Sequence, residues 1–316
     1  MAESAEPLRI GSRGSQLALW QANYIADKLR AQGYGVEIEI IRTTGDALQT
    51  VSFKQVGTKG MFTKEIEEAL LEGRIDLAVH SLKDLPTTLE APFTLAAIPP
   101  RVDPSDAFVS IHHETFASLP QGARVGTSSL RRQAQLRAQR HDLDYVEFRG
   151  NIDTRLRKLA EGQVEAIILA AAGLERLQLT EHVRERFPAL IVCPAAGQGA
   201  LAIETRAGDE TTLAALAFLD DAPTRFAVTA EREALAALGG GCQVPIGIHC
   251  RPLNAACSGY SILGTVAAPD GTSLVRAELE CQSSESPAAL GHKLAARLLE
   301  QGAGDILALL GDAPRI

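Results

Sequence analysis

The chain has 316 residues, of which 46% are hydrophobic, and its formal net charge is −8 at pH 7. A chain of this length exceeds the size at which one hydrophobic core stops growing, so we expect two or three domains. The acidic balance and an aromatic content of 4% argue against nucleic acid as a partner, because binding it needs a cationic surface and stacking side chains.

The sequence begins with MAESAEPLRI, which is acidic and lacks the basic and then apolar pattern of a secretory signal. The longest apolar run, AIILAAAGL (Ala166 to Leu174), is shorter than the roughly eighteen residues needed to cross a bilayer, and it predicts a buried strand. We therefore expect a cytoplasmic protein with no membrane partner.

Two segments show the same order of predicted elements. In the first segment, an apolar strand ends at Gly11 and an amphipathic helix follows. The later stretch EALLEGRIDLAVHS predicts a helix, a glycine turn and a buried strand. In the second, a strand breaks at Gly126, and RKLAEGQVEAIILAAAG repeats the helix, turn and strand. Strands that alternate with helices indicate parallel sheets, so we interpret each segment as one α/β unit and the pair as an internal duplication.

Two irregular connecting stretches, at which the chain passes from one predicted lobe to another, separate these segments from each other and from the rest of the chain. They are the proline-rich AAIPPRVDPSDAF and the later FPALIVCPAAGQGALAIE, and such a pair suggests two lobes joined by a hinge, with a ligand cleft. After Leu219 the pattern predicts a smaller α+β domain, with Pro269–Gly271 as a hairpin turn. Its predicted elements are a helix (APTRFAVTAEREALAAL), two strands (PIGIHCRPL and SILGTVAAPDG) and a final helix (PAALGHKLAARLLEQG).

The glycine loops GSRGS and GTSSLRR each place hydroxyl and backbone N–H groups at a predicted helix start, where the helix dipole favours an anion. Helix capping alone would also explain these hydroxyls. The neighbouring Arg13, Arg131 and Arg132 favour anion binding, because guanidinium groups make forked hydrogen bonds to carboxylates. From Arg124 to Arg157 there are eight arginines against four acidic residues, a local basic surface that suits a small anionic ligand.

Two shorter motifs also carry charged residues near predicted strand ends. In HSLKDLP, Lys83 and Asp84 are either a surface ion pair on a turn or a pair in which Lys83 holds a ligand carboxylate and Asp84 faces a positive or proton-donating group. In FRGNIDTRL, Arg149 and Arg155 are expected to flank a glycine loop, where functional residues concentrate.

The five cysteines lack any Cys-x-x-Cys spacing, and the histidines are scattered, so we expect neither disulfides nor a metal site. Cys242 differs from the others because three glycines precede it in GGGCQVP, which leaves its thiol on a loop. A thiol is the side chain best suited to a stable carbon–sulfur bond, and a permanent attachment needs no histidine base. A purely structural loop thiol is the alternative.

Seven motifs occur in one order along almost the whole chain: SRGSQLALWQA, KGMFTKEIEEALL, AVHSLKDLP, VGTSSLRRQAQL, FRGNIDTRL, PAAGQGALAIE and LGGGCQVPIG. Together they closely resemble the porphobilinogen deaminase family, also called hydroxymethylbilane synthases. The resemblance implies an α/β fold of three domains. Two similar α/β domains, residues 1–99 with 200–218 and residues 100–199, resemble the lobes of periplasmic binding proteins, and a smaller α+β domain, residues 219–316, carries the cofactor cysteine.

The resemblance also implies the reaction. A transferase of this family condenses four porphobilinogen molecules, with loss of ammonia, onto a covalently bound dipyrromethane primer and releases the linear tetrapyrrole hydroxymethylbilane by hydrolysis. The primer would be attached to Cys242 through a thioether. Each porphobilinogen carries an acetate and a propionate, which accounts for clustered arginines on an acidic protein. The family implies a monomer whose partner is this small-molecule substrate.

The resemblance assigns roles to individual residues. Asp84 is the implied catalytic residue, because its carboxylate would stabilise the positive charge formed when ammonia leaves and would assist proton transfer. The implied cofactor-binding residues are Cys242, Lys83, Asp84, Thr127, Ser128, Ser129, Arg131 and Arg132. The implied substrate-binding residues are Arg13, Ser15, Lys59, Phe62, Arg149, Arg155 and Gln198. The chain departs from the family at Gln55, where lysine is frequent; here Lys54 lies one place earlier.

Two other functions fit parts of the pattern. A non-catalytic, two-lobed binding module would explain the duplication and the hinge equally well, but it would release no ammonia from porphobilinogen. An acyl-transfer enzyme would use Cys242 as a transient nucleophile, and for that it needs a histidine base. His249 is seven residues away in a strand-like segment, which does not favour this pairing.

Overall fold

The computed structural model describes residues 6–44, 63–240 and 244–311 of the chain. It has two compact units, Met1–Arg101 with Ala200–Thr224 and Val102–Gly199 with Arg225–Ile316. Each unit contains a five-stranded α/β sheet, and the second unit also contains a three-stranded antiparallel sheet. None of the helices in these described ranges is long and apolar enough to cross a bilayer.

The strands of the described chain are, in order, β1 (Leu8–Ser12), β2 (Val36–Ile40), β3 (Leu77–Ser81), β4 (Phe93–Ala97), β5 (Asp106–Ser110), β6 (Arg124–Gly126), β7 (Asp144–Val146), β8 (Ala166–Ala170), β9 (Val183–Arg186), β10 (Leu201–Arg206), β11 (Ile246–Pro252), β12 (Gly259–Ala267) and β13 (Leu274–Gln282). The α-helices are α1 (Gln16–Ala31), α2 (Lys64–Leu71), α3 (Leu130–Gln139), α4 (Ile152–Ala160), α5 (Ala171–Arg176), α6 (Glu210–Leu216), α7 (Ala222–Ala237), α8 (Pro287–Glu300) and α9 (Ala303–Gly311). Short 3-10 helices cover Leu82–Asp84, Phe116–Ser118, Thr180–His182 and Ala217–Leu219.

The sheet of the first unit has the strand order β2-β1-β3-β10-β4. Strand β1 pairs in parallel with β2 and β3, whereas β10 pairs antiparallel with β3 and β4. The apolar face of α1, which includes Ile25 and Leu29, packs against Ile10 and Leu77 of this sheet. Because β10 follows the entire second α/β segment in the sequence, the chain returns to the first sheet after it has built the second.

The first sheet of the second unit repeats this topology, with the order β7-β6-β8-β5-β9. Strand β6 pairs in parallel with β7 and β8, and β5 pairs antiparallel with β8 and β9. Gly126 lies opposite Ile167 as Gly11 lies opposite Ala78, so the two glycine breaks occupy matching register positions. The shared topology is what the predicted duplication requires.

The third sheet, β11-β12-β13, is antiparallel throughout. The predicted hairpin turn is confirmed, because Gly271 has a φ of 76° and its N–H donates to the Ala268 carbonyl at 2.8 Å. Leu294 and Leu298 of α8 pack against β12 at Gly264, where a Cβ atom would meet their side chains. The sequence-based interpretation missed β13 and α9. It was also wrong about AIILAAAGL, since β8 ends at Ala170 and the rest of that run forms α5.

Gly247 in β11 shows how closely the third sheet packs on the segment that follows β9. A Cβ atom at this position would lie 2.4 Å from the Cys193 carbonyl oxygen. We expect Gly247→Ala to lower the free energy of unfolding by about 1–3 kcal/mol, because the backbone it meets cannot move aside easily. Urea denaturation of Gly304→Ala serves as the control, since its nearest neighbour would be 3.8 Å away. Equal stability of the two variants would contradict this packing.

Candidate active site

A pocket in the first unit lies at the carboxyl ends of the parallel strands β1 and β3, the edge where open α/β sheets bind ligands. Three of the residues predicted from sequence line it: Arg13, Ser15 and Asp84. Gln21, His80 and Ser81 line the same pocket and were not predicted. The pocket therefore presents a guanidinium and a carboxylate beside an amide, an imidazole and hydroxyl groups.

Local structure explains how each predicted side chain reaches this pocket. Ser15 is the N-cap of α1, and its hydroxyl accepts a hydrogen bond from the Ala18 N–H at 3.3 Å. In HSLKDLP, Leu82 and Leu85 are buried and anchor the 3-10 turn, while Asp84 between them is exposed and Lys83 is half-buried. The capping role considered for Ser15 is thus present, and it coexists with a place on the pocket wall.

His80 of the pocket lining makes a buried contact with a carboxylate. His80 Nε2 on β3 is 3.0 Å from Glu204 Oε2 on β10, and both side chains are buried. Within the described part of the chain, Glu204 Oε1 is buried without a hydrogen-bond partner. Burial raises the pKa of the nearby Glu67, and the charge of Glu204 raises it further. Glu204 and Glu67 therefore place two carboxylates near His80 of the pocket lining, in contrast to the guanidinium of Arg13.

The second unit gathers Arg131, Arg132 and Gln198 around one buried carboxylate, that of Asp106. The two arginines are only 4% and 6% exposed, and Asp106 is fully buried at the start of β5. Burial alone would raise the pKa of Asp106, but attraction to Arg131 and Arg132 outweighs it and holds that pKa well below its usual range. The carboxylate is therefore ionised near neutral pH, and two cations facing one anion leave a net positive charge.

A second group of cations lies near Arg132. Burial, together with repulsion from Arg132 and Arg149, lowers the pKa of Arg155 to about 10. Arg155 still carries its charge near neutral pH, so the fold holds it close to the guanidinium groups of Arg132 and Arg149. Arg149 Nε donates to Glu147 at 2.6 Å, and Arg155 Nε donates to the Gly150 carbonyl at 2.7 Å.

The structure places this pair on either side of the glycine turn. Arg149 directly precedes Gly150, which has a φ of 121°, and Arg155 lies in the first turn of the helix α4 that follows. The N–H of Arg155 donates to the carbonyl of Asn151, the N-cap of α4, at 3.0 Å, which holds the residue in the helix.

The hydroxyl residues of GTSSLRR organise the turn that leads into α3. Thr127 is fully buried, and its hydroxyl accepts from the Ser129 N–H at 3.3 Å. Ser128 donates to the Phe148 carbonyl at 2.9 Å, and Ser129 caps α3 by accepting from the Arg132 N–H at 3.4 Å. These bonds tie the loop to the Arg149 turn, and a ligand role for the three hydroxyls stays a prediction.

The predicted residues fall into two sets and a remainder. Arg13, Ser15, Lys83 and Asp84 belong to the first unit, and the second unit holds Thr127, Ser128, Ser129, Arg131, Arg132, Arg149, Arg155 and Gln198. Lys59, Phe62 and Cys242 lie outside the described residues, as do Lys54 and Gln55. Within the described ranges, Cys193, Cys250, Cys257 and Cys281 are free thiols, and no cluster of His, Cys, Asp or Glu has the arrangement of a metal site.

Sequence reasoning missed Asp106 and the His80–Glu204 pair. The aspartate stands in the proline-rich stretch PSDAF, where an acidic residue is typical of a turn. His80 and Glu204 are 124 positions apart in the sequence. One available signal was the acidic residue inside the apolar strand ALAIETR, because a charged group in such a position needs a partner.

Two family models match the chain. Residues 8–214 match the porphobilinogen deaminase dipyromethane cofactor binding domain, and residues 225–300 match the porphobilinogen deaminase C-terminal domain.

Relatives of known name cover almost the full length. The chain is 49% identical over 313 residues to a porphobilinogen deaminase of Syntrophotalea carbinolica, with 98% of each chain covered. It is 52% identical over 302 residues to one of Desulforudis audaxviator, with 95% of this chain and 96% of the relative covered. Among solved structures, a periplasmic substrate-binding protein of an ABC transporter from Coxiella burnetii matches with a TM-score of 0.44 at 13% identity, over 69% of this chain and 94% of that one.

Proposed function

Because the chain belongs to the porphobilinogen deaminase family, we propose that the two sets of residues described above bind the cofactor and the substrate of that family's reaction. The protein is a deaminating transferase of tetrapyrrole and heme biosynthesis. It condenses four porphobilinogen molecules stepwise, with loss of ammonia, and releases hydroxymethylbilane by hydrolysis. Its cofactor is dipyrromethane.

The cofactor, when bound, supplies the pyrrole carbon onto which porphobilinogen units are added. We place its attachment at the Cys242 thiol. Arg131 and Arg132 of the second unit then bind carboxylates of the cofactor, with Lys83 of the first unit and the turn formed by Thr127, Ser128 and Ser129.

The observation that carries this assignment is the cluster of Arg132, Arg149 and Arg155. Holding three guanidinium groups close together is unfavourable, and repulsion from Arg132 and Arg149 adds to burial in lowering the pKa of Arg155. A ligand with several carboxylates offsets that repulsion and accepts forked, charge-assisted hydrogen bonds. Porphobilinogen and its oligomers carry such carboxylates on every ring. In this proposal Arg149 and Arg155 bind the incoming substrate, and Gln198 supports the same site.

The pocket of the first unit suits the chemical step. Arg13 and Ser15 offer a cation and a hydroxyl to a substrate carboxylate, while Asp84 offers an anion. The carboxylate of Asp84 stabilises the positive charge that develops on the substrate as ammonia leaves, and it assists the transfer of protons. Lys59 and Phe62 complete the substrate contacts in this proposal.

Measuring ammonia and tetrapyrrole together tests the function. The purified protein is incubated with porphobilinogen, and we expect one ammonia for each porphobilinogen consumed and one linear tetrapyrrole for every four. Binding of porphobilinogen without ammonia release would instead identify a binding module. Ammonia release without a tetrapyrrole would contradict the polymerising reaction.

Replacing Arg155 tests the arginine cluster directly. We expect Arg155→Gln to raise the half-saturating porphobilinogen concentration about 10- to 100-fold, the effect of losing one charge-assisted hydrogen bond. Arg157→Gln on the same helix is the matched control, because that side chain is 63% exposed and pairs with Glu161 at 2.6 Å. Steady-state kinetics on both variants decide the matter, and equal kinetics for the two would remove Arg155 from the substrate site.

We also propose the three-domain division 1–99 with 200–218, 100–199 and 219–316, which is supported by the presence of three separate sheets. A cytoplasmic, monomeric protein without a nucleic-acid partner completes the proposal. The free thiols of the described cysteines support a reducing compartment.

A further inference from the structure

We infer that Asp106 is the positioning residue of the primer-binding arginines: its buried carboxylate fixes the guanidinium groups of Arg131 and Arg132 and the amide of Gln198 in one arrangement. This inference rests on the proposed role of those arginines in binding the cofactor. Asp106 itself is fully buried, so it acts through the residues that it holds.

The two carboxylate oxygens of Asp106 collect all of these groups. Oδ2 accepts from Arg131 Nη1 at 2.6 Å, and Oδ1 accepts from Arg131 Nη2 at 3.2 Å. Oδ1 also accepts from Arg132 Nε at 2.8 Å and from Gln198 Nε2 at 2.9 Å. Arg132 Nη2 lies 2.7 Å from the same oxygen. One side chain therefore orients three predicted site residues at once.

Asp106 is well placed to serve as a fixed support. It is the first residue of β5, it pairs with Ala170 of β8, and its carbonyl accepts from the Phe187 N–H at 2.9 Å. The held groups also contact backbone on other sides. Arg131 donates to the Cys193 carbonyl at 2.7 Å, and Arg132 donates to the Ile168 carbonyl at 3.0 Å. Rotation of either guanidinium would break several bonds together.

Charge explains why the support is an acid. Two buried guanidinium groups repel each other and lose their hydration, so they need an anion close by. Asp106 supplies a single negative charge, which leaves one positive charge in excess for a carboxylate of the ligand. A neutral side chain would leave the arginines without their anion, and the like charges would then move apart.

The first unit contains a matched pattern outside the candidate site. Asp76 accepts from Arg9 Nη2 at 2.8 Å, and Arg206 Nη2 lies 3.4 Å from the same carboxylate. It too is an aspartate between two arginines, and none of its partners is a predicted site residue. Asp76→Asn therefore controls for the general loss of an Arg–Asp–Arg cluster.

The experiment compares primer acquisition in full-length Asp106→Asn, Asp76→Asn and wild-type protein, each prepared without primer. Each is incubated with porphobilinogen over a concentration range, well below its melting temperature. Intact-protein mass then gives the fraction that carries the two-ring primer. We expect Asp106→Asn to need about 10- to 100-fold more porphobilinogen for half-loading, because displaced contacts of this kind have effects of that size. Asp76→Asn should load as the wild type does, although its melting temperature falls.

Two outcomes would overturn the inference. Asp106→Asn that loads like the wild type would show that the arginines do not need this support. Equal loss of loading in both variants would reduce Asp106 to a general structural role. A wild-type protein that never acquires a primer would instead contradict the proposed function, so the two failures are distinguishable.

Asp106→Glu keeps the test decisive where Asp106→Asn does not fold. Glutamate preserves the charge but moves it by one methylene, so the arginines keep an anion in an altered position. We expect half-loading at about 3- to 10-fold higher porphobilinogen, a smaller change than for asparagine because the ion pairs persist. Unchanged loading of this variant, with an unchanged melting temperature, would also overturn the inference.

Discussion

Protein with Cys242→Ser is expected to carry no dipyrromethane and to form no hydroxymethylbilane. An ordinary thiol is about a few per cent ionised near neutral pH and its thiolate is strongly nucleophilic, whereas a serine hydroxyl needs an activating base to react at a useful rate. Intact-protein mass gives the result directly. Freshly purified wild-type chain should be heavier than its sequence by two porphobilinogen units less two molecules of ammonia, and the variant should show the unmodified mass.

Cys257→Ser is the matched control for this result. Cys257 is half-buried, whereas Cys193, Cys250 and Cys281 are buried. Burial also raises the pKa of Cys193 to about 12, which makes that thiol unreactive. The control should keep the added mass and full activity. Added mass that persists in Cys242→Ser, or disappears in Cys257→Ser, would contradict attachment at Cys242.

The second large effect is expected for Asp84→Ala. Turnover should fall about 100-fold or more, the range for loss of a positioned acid–base group, while the primer remains attached. The residue lies exposed on its 3-10 turn between two buried leucines, so its removal leaves the turn anchored. The measurement pairs steady-state turnover with intact-protein mass on the same preparation.

Asp27→Ala provides the comparison for Asp84. Asp27 is an exposed aspartate on α1 of the same unit, paired with Arg30 at 3.1 Å, and its removal should leave turnover unchanged. Full activity in Asp84→Ala would exclude this carboxylate from the mechanism. Loss of the primer in that variant would assign Asp84 to cofactor assembly instead of the catalytic step.

Local patterns predicted a large part of the fold. The strand, glycine break and helix at Gly11 and at Gly126 follow from apolar periodicity and from the freedom of glycine, both of which involve near neighbours in sequence. The place of β10 is different, since its partners β3 and β4 are more than a hundred residues earlier in the chain. Only the family resemblance indicated that return.

The residues of the candidate site were likewise predicted where local motifs identify them, and missed where their role depends on distant partners. Arg13 and Ser15 were predicted from one motif and Asp84 from another, and they line one pocket because β1 and β3 are parallel neighbours. Asp106 was not predicted, because its role depends on partners that are 25, 26 and 92 positions away. A sequence pattern can identify cations that suit a carboxylate ligand, but it does not reveal which buried carboxylate already holds them.

The return of β10 to the first sheet has a consequence for the order in which the protein matures on the ribosome. A nascent chain that has emerged as far as residue 190 contains every strand of the sheet β7-β6-β8-β5-β9, but it contains only four of the five strands of β2-β1-β3-β10-β4. Strands β3 and β4 must wait with unpaired edges until residues 201–206 are made, and such edges invite pairing with other chains. Of the two five-stranded sheets, the one that is translated first is therefore the one completed second.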